Sequence, residues 1–389
     1  MKIVIALKDL EVGGIQRSCI NFVNFLVNAD IEVDLLLMND DSPLLKELDN
    51  RVKIIRTNKS MFPFAVLQKN AKRYGFWFYI NRTLIACIAK TLGNKYFLKR
   101  ALKKQPKLDG MYDVAISFQP SKGVKSMMVG CSELILEKVD AKSKFAFMHS
   151  DFERSGLNEP YAVSIFEKFD KILCVSESCA NQMKKSLTGI ADKIDYLYNV
   201  INIEDVKKKA DEHIEFNRGE FNLVTVARLG EEKGHLRLLE QLKKLIDEGF
   251  NFKYTIVGDG KEKETLENYI KSNSMEEYVE LVGNKINPYP YMKKSDLFVL
   301  PSYHESYGMV LVESMILKVP VLSTETISAK EVVGDMGFVC ENSSEGLYSE
   351  LKSILSDKSK IEKARKNLSD YNYSLESIEK KLYELTKSI

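Results

Sequence analysis

Short runs of Val, Ile and Leu recur along the chain, separated by longer stretches in which apolar residues return every three or four positions. The short runs lie at 2–7, 32–38, 52–56, 113–118, 144–148 and 171–175, then at 222–226, 253–257, 279–281, 297–300 and 319–323. They are apolar on successive residues rather than on alternate ones, so each strand is expected to be covered on both faces. Strands of that kind joined by helices predict an α/β protein with parallel sheets.

The two halves open alike. Residues 1–14 read as a strand, the turn EVGG and a helix, and residues 221–234 read as a strand, a charged turn closing on glycine and a helix from near His235. Two Rossmann-like doubly wound domains in tandem follow, facing a cleft, with ligands expected beyond the carboxyl ends of the strands. The expected bounds are residues 1–205 for the first domain, 206–220 for a polar linker and 221–373 for the second. Residues 374–389 form an amphipathic helix expected to cross back to the first domain.

Composition narrows the class. A length of 389 residues accommodates two cores, and 44% hydrophobic with 29% charged residues excludes disordered and low-complexity chains. The cysteines, at 19, 87, 131, 174, 179 and 340, show no C-x-x-C spacing, which suits a reducing cytosol and offers no zinc site. No stretch of about 18 apolar residues occurs, and the apolar run at the N-terminus is brief for a signal peptide. The expected location is the cytoplasm, on the inner face of the cell membrane where lipid is contacted.

The formal charge of +2 hides an asymmetry: residues 59–107 hold twelve Lys/Arg and no Asp or Glu, leaving the remainder acidic. Within that segment Phe76-Trp77-Phe78-Tyr79-Ile80 lies among Lys72, Arg73, Arg82, Lys99 and Arg100. This is a basic amphipathic pattern suited to an anionic bilayer. A solvated face or an acidic protein partner is the plainer explanation. No nucleic-acid recognition motif is present.

The chemistry concentrates in the second half. The run 297–300 is followed by the loop Pro301-Ser-Tyr-His-Glu305-Ser306-Tyr307-Gly308 and a helix carrying Glu313. Two carboxylates with seven residues between them suit two hydroxyl-bearing groups of one extended ligand; the alternative is a helix-capping Glu305 and a solvated Glu313. Upstream, Arg228 ends a strand and Lys233 precedes a helix, where an anion such as a diphosphate is favoured. Pairing of both cations with Glu231 and Glu232 is the competing account. Gly13 and Gly14 give a loop without side chains, in which backbone N–H groups can meet a phosphate.

Taken together, these residues resemble the retaining glycosyltransferases of the sucrose-synthase-like family, family 4, which have the GT-B fold. The most specific stretch is Asn287-Pro-Tyr-Pro-Tyr-Met-Lys-Lys-Ser-Asp-Leu-Phe-Val-Leu-Pro301, running into Glu305 and Glu313, which match the family's E-x7-E motif. The resemblance implies that Glu305 contacts donor-sugar hydroxyls and Glu313 the ribose. It implies that Arg228 and Lys233 bind the diphosphate. Gly13 and Gly14 would form the N-terminal glycine loop, and Gly283, Asn284, Lys285 and Ile286 would cradle the base. His149, at a strand end, corresponds to a histidine over the donor sugar, and Asn199 to a recurrent asparagine at the interdomain crossing.

Two positions depart from the pattern. Ser306 stands where glycine is usual, which is expected to demand a glycine-like backbone, and Lys318 replaces a glycine before Val319-Pro320. The activity implied is transfer of a hexosyl or N-acetylhexosaminyl unit from a nucleoside diphosphate sugar to a saccharide acceptor. UDP is favoured from the similarity around 287–291, and the basic segment suggests a polyprenyl-diphosphate-linked acceptor. No D-x-D run occurs, so protein cations rather than a divalent metal are expected at the diphosphate, and no cofactor is called for. Alternatives are a nucleotide-sugar 2-epimerase of the same architecture and an inactive membrane-associated scaffold. A dinucleotide dehydrogenase lacks its G-x-G-x-x-G after the first strand.

Overall fold

The structure is a computed structural model that describes residues 1–11, 13–39, 43–127, 129–158 and 160–387. The chain forms two compact units, Met1–Val200 with Glu376–Ile389, and Ile201–Leu375. Each is built on one parallel sheet, as successive apolar residues in the strands require.

In unit 1 the strands are β1 (Lys2–Leu7), β2 (Glu32–Leu37), β3 (Lys53–Arg56), β4 (Met111–Ser117), β5 (Asp140–Met148), β6 (Lys171–Cys174) and β7 (Ile194–Tyr196). Their spatial order is β3-β2-β1-β4-β5-β6-β7. Unit 2 contains β8 (Asn222–Val226), β9 (Lys253–Val257), β10 (Val279–Gly283), β11 (Leu297–Leu300), β12 (Val321–Thr324) and β13 (Gly337–Cys340), ordered β10-β9-β8-β11-β12-β13. The first six strands follow the same order in both, and unit 1 adds β7 at one edge. The order therefore reverses between β1 and β4 and again between β8 and β11, the positions at which such sheets bind ligands.

The helix His235–Asp247 shows how the pattern becomes packing. Leu238, Leu239, Leu242 and Leu245 recur on one face and meet Leu223, Ile256, Val299 and Leu322 from the sheet in a common buried core. Two strands lay outside the apolar runs, β7 and β13. Both are short edge strands of three and four residues.

Residues 206–220 are not a free linker. The helix Ile203–Ala210 is capped by Asn202, whose Oδ1 accepts from the Asp205 amide, and it buries Val206 and Ala210. It belongs to unit 2, where the Lys209 carbonyl accepts from Asn287 Nδ2 at 2.8 Å and the Ile214 carbonyl accepts from Lys294 Nζ at 2.7 Å. The C-terminal helix Glu376–Thr386 belongs to unit 1, and its Lys381 ammonium lies 2.8 Å from Asp195.

Candidate functional site

In unit 2 the loops leaving β8 and β11, neighbours at the reversal of strand order, are stitched to each other. Gly234 makes this possible. Its φ of +68° is left-handed, and a Cβ there would stand 2.2 Å from the Pro301 carbonyl oxygen, so only glycine lets the two backbones approach. The Tyr303 amide donates to the Glu232 carbonyl at 2.9 Å. Arg237, buried on the first turn of the helix, donates to the Pro301 carbonyl at 2.6 Å and to Asn342 Oδ1 at 3.0 Å. Its guanidinium lies 3.9 Å from the centre of the Tyr303 ring, and Asn342 Nδ2 donates to the Tyr303 carbonyl at 3.0 Å.

This framework places the charged groups. Lys233, in a single 3-10 turn before the helix, donates from Nζ to Glu305 Oε2 at 2.6 Å, with the two side chains 20% and 18% exposed. Arg228 pairs with Glu232 and is largely exposed. Of the two competing accounts from the sequence, surface pairing thus holds for Arg228, while Lys233 turns to the loop carboxylate. The Arg228 carbonyl accepts from His235 Nε2 at 3.2 Å. Burial holds the His235 imidazole down at about 4, partly opposed by that hydrogen bond, so the ring is neutral at pH 7.

Glu313 lies on the helix Met309–Ile316 and is only 6% exposed, which removes the solvated reading. Its Oε1 accepts from the Tyr289 hydroxyl at 3.3 Å, and Tyr289 opens the short helix Tyr289–Lys293 behind Pro288. The stretch that carried the sequence resemblance thus reaches the second carboxylate of the pair. Ser306 does not adopt the left-handed backbone expected of it; among the described residues, the non-glycine positions with positive φ are Asp30, Ser274 and Lys318. Gly308, with φ of +75°, is the N-cap of the Glu313 helix, and Tyr307 beside it is buried. Gly283 ends β10, and Asn284, Lys285 and Ile286 follow it as an exposed loop.

Unit 1 carries its candidates on the equivalent strand ends. Gly13 caps the helix Gly14–Asn28 with an extended φ of −178°, and at Gly14 a Cβ would meet none of the described residues within 4 Å. His149 follows β5 and packs on Phe118 and Phe147, with ring centroids 4.5 and 5.5 Å away. Burial drives its pKa down to about 3, against a smaller opposing effect of a backbone hydrogen bond to Phe118, and its Nε2 is shielded without a partner among the described residues. A neutral ring with a shielded nitrogen can hold a ligand hydroxyl but carries no charge. Asn199 is buried in unit 1, where its Oδ1 accepts from Ser18 of the helix Gly14–Asn28.

The basic segment divides. Lys72, Arg73, Trp77, Lys99 and Arg100 are exposed. Arg82 is not: it is 7% exposed and donates from Nε to the Val66 carbonyl at 2.7 Å, with a second bond to Gln68, so it braces the fold instead of facing a surface.

Arg237 and Asn342 were absent from the sequence reading, and His235 and Tyr303 were given no role in it. One signal was present: His235 falls on the apolar stripe shared with Leu238, Leu242 and Leu245, and a polar residue there needs a partner. The β9–loop glycine Gly258 was likewise passed over. Its Cβ would stand 1.9 Å from the Ala227 carbonyl oxygen, directly before Arg228.

Residues 206–374 match the family described as Glycosyl transferases group 1. An N-acetylgalactosamine-N,N'-diacetylbacillosaminyl-diphospho-undecaprenol 4-alpha-N-acetylgalactosaminyltransferase of Campylobacter jejuni is 32% identical over 57% of this chain and 60% of its own. For two Methanocaldococcus jannaschii glycosyltransferases the matched part is 43% and 42% of the relative's length, so the chain spans about half the length of these curated relatives. The amylovoran biosynthesis glycosyltransferase AmsD of Erwinia amylovora is 23% identical over 91% of this chain and 89% of its own. Among solved structures, a glycosyltransferase of Rickettsia africae superposes with a TM-score of 0.67 at 22% identity, covering 100% of this chain and 98% of that one. Anabaena HepE in complex with UDP-glucose gives 0.67 at 18% identity, covering 100% of both chains. These likenesses show the fold, GT-B with two Rossmann-like units.

Proposed function

We propose that this chain is a retaining glycosyltransferase, a reading supported by the match of residues 206–374 to the glycosyl transferases group 1 family. It moves a hexosyl or N-acetylhexosaminyl unit from a nucleoside diphosphate sugar, UDP-linked by preference, to a lipid-linked saccharide on the cytoplasmic face of a membrane. The Anabaena neighbour bound to UDP-glucose supports the choice of nucleotide. The Campylobacter relative, whose name specifies a diphospho-undecaprenol saccharide, supports the acceptor class.

The observation that carries the reading is in unit 2. Lys233 is held 2.6 Å from Glu305 where β8 and β11 diverge, and Glu313 is buried on the helix that the Glu305 loop feeds. Breaking the anomeric bond places negative charge on the departing β-phosphate. An ammonium already fixed in position stabilises that charge more in the transition state than in the ground state, which is the condition for catalysis. Arg228 adds a second cation once it leaves Glu232. Glu305 accepts from sugar hydroxyls, and Glu313 accepts from the ribose. Retention requires attack on the face that the leaving group vacates, with a β-phosphate oxygen taking the acceptor's proton. Protein cations do this work without a divalent metal.

Thermal denaturation with a panel of nucleotide sugars tests the donor. At a hundred times its dissociation constant the true donor stabilises the fold by about 2.7 kcal/mol. Mass analysis of a polyprenyl-diphosphate-linked saccharide after reaction then tests transfer, and proton NMR of the new anomeric centre tests retention. Absence of stabilisation by every nucleotide sugar, or a rate of sugar transfer indifferent to Lys233→Ala, overturns the reading.

A further inference from the structure

The helix Phe76–Leu92 is apolar on more than its inner side, where Phe78 and Ile85 are half-buried. On its protein side lie Ala89 and the charged Arg82, whose guanidinium is tied to the Val66 carbonyl. On its outer side Trp77, Leu84, Ile88 and Leu92 recur at intervals of seven, four and four residues, whole multiples of about one turn, and so form one stripe. That stripe faces solvent: Trp77 is 80% exposed, Leu84 56% and Leu92 87%. Phe76 and Tyr96 flank its two ends, 70% and 67% exposed. An ordinary surface helix turns its apolar face inward, so a stripe pointing outward is a surface built to be covered.

What covers it is indicated by charge. The segment 59–107 carries twelve cations and no anion, and Lys72, Arg73, Lys90, Lys95, Lys99 and Arg100 around the stripe are exposed. A second copy of the same face would oppose these cations to themselves. An apolar stripe bearing an aromatic residue and rimmed by cations matches a bilayer interface, where side chains enter the acyl boundary and ammonium groups meet anionic headgroups.

We propose that the outer stripe of Phe76–Leu92 lies in the interface of an anionic lipid bilayer, with Trp77 at headgroup depth. The helix lies flat and does not cross; among the described residues no helix is long and apolar enough to span a membrane. The proposal deepens the lipid-linked acceptor reading by giving the enzyme a docking face. It is tested without turnover, so the two readings fail separately.

Trp77 is the sole tryptophan of the chain, so its emission reports this surface alone. The full chain is titrated with phosphatidylglycerol–phosphatidylcholine vesicles, with phosphatidylcholine vesicles and with the anionic vesicles at raised salt. The expected result is a blue shift on anionic vesicles that weakens with salt, and quenching by lipids brominated near the headgroup. Leu84→Ser with Leu92→Ser should weaken vesicle binding about tenfold while leaving the circular dichroism spectrum and thermal midpoint unchanged, which shows the variant is folded. Lys99→Glu with Arg100→Glu should weaken it by at least about tenfold. An emission spectrum unchanged by anionic vesicles overturns the proposal. So does a blue shift that appears without lipid as protein concentration rises, which assigns the stripe to a second copy, or one produced equally by an acidic polypeptide.

Discussion

Lys233 Nζ and Glu305 Oε2 lie 2.6 Å apart, joining the loop after β8 to the loop after β11. The pair is four-fifths covered, so it is shielded from full solvent screening, and each partner restricts the rotamers of the other. On the proposed function, an incoming diphosphate would meet a cation already in position, and the carboxylate would be freed for a hydroxyl donor.

Truncating the cation tests this arrangement. Lys233→Ala should lower kcat by about a hundredfold to a thousandfold, the range found when one preorganised donor to a developing anion is removed, with a smaller change in donor KM. Glu305→Gln keeps a hydrogen-bond acceptor but removes the charge that holds Lys233, so kcat should fall by less. Steady-state kinetics on one donor and one soluble acceptor measure both. Equal and small effects would remove Lys233 from the role assigned to it.

Glu313 and Tyr289 make a second prediction, of opposite kinetic character. If Glu313 binds the ribose in the ground and transition states alike, Glu313→Ala raises donor KM with little change in kcat. Tyr289→Phe removes one hydrogen bond of 3.3 Å to that carboxylate, and should raise KM only a few-fold, about 1 kcal/mol at most. Calorimetric titration with the free nucleoside diphosphate checks the ground-state share. A loss confined to kcat in Glu313→Ala would contradict a ribose contact.

Much of this was legible in the chain because it is local. Apolar runs of three to seven residues locate the eleven expected strands, and E-x7-E, Arg228 and Lys233 sit at fixed offsets from two of them. What escaped is non-local or too short. Arg237 meets Pro301, Tyr303 and Asn342 across more than 60 residues of chain, and no spacing predicts that. The helix Ile203–Ala210 reads as linker because its charges outnumber its two buried residues, although Asn202 with Asp205 three positions on was a helix-start signal. Arg82 was taken for a surface cation because a cation-rich helix with Trp77 and Leu84 on one face says nothing of which face turns inward.

Lys318 illustrates how a departure from a family pattern is compensated. Its φ of +61° is left-handed, a conformation that costs a side chain about 1–2 kcal/mol relative to glycine. Its ammonium, however, donates to the carbonyls of Leu368 at 2.7 Å, Ser369 at 3.2 Å and Tyr371 at 2.6 Å, at the C-terminal end of the helix Ser359–Ser369. A cation there is favoured by the helix dipole by roughly 0.3–1 kcal/mol. Lys318→Gly should therefore stay within about 1 kcal/mol of the parent, losing the cap but relieving the backbone. Lys318→Ala keeps the strain and loses the cap, and should destabilise unit 2 by about 1 kcal/mol. Urea unfolding of the two variants decides, and the expected order is Ala below Gly.

His149 sets an acid limit on unit 1. Its folded pKa is about 3 because burial against Phe118 and Phe147 excludes the charged ring, whereas the unfolded chain titrates near the ordinary 6.5. Between those values the unfolded state binds the proton and the folded state does not, so stability falls as pH drops through that window and is fully present above it. His235 in unit 2 acts in the same direction, with a folded value of about 4. His149→Phe retains the ring stacking and removes the titrating nitrogen. Its stability should decline less steeply from pH 6.5 to pH 4 than the parent's, by up to about 1.4 kcal/mol per pH unit. Urea midpoints across that range, followed by near-ultraviolet circular dichroism of the buried aromatic residues, provide the measurement. Parallel slopes in parent and variant would show that the imidazole protonates in the folded state, in which case activity would show a His149 inflection near neutral pH instead of none.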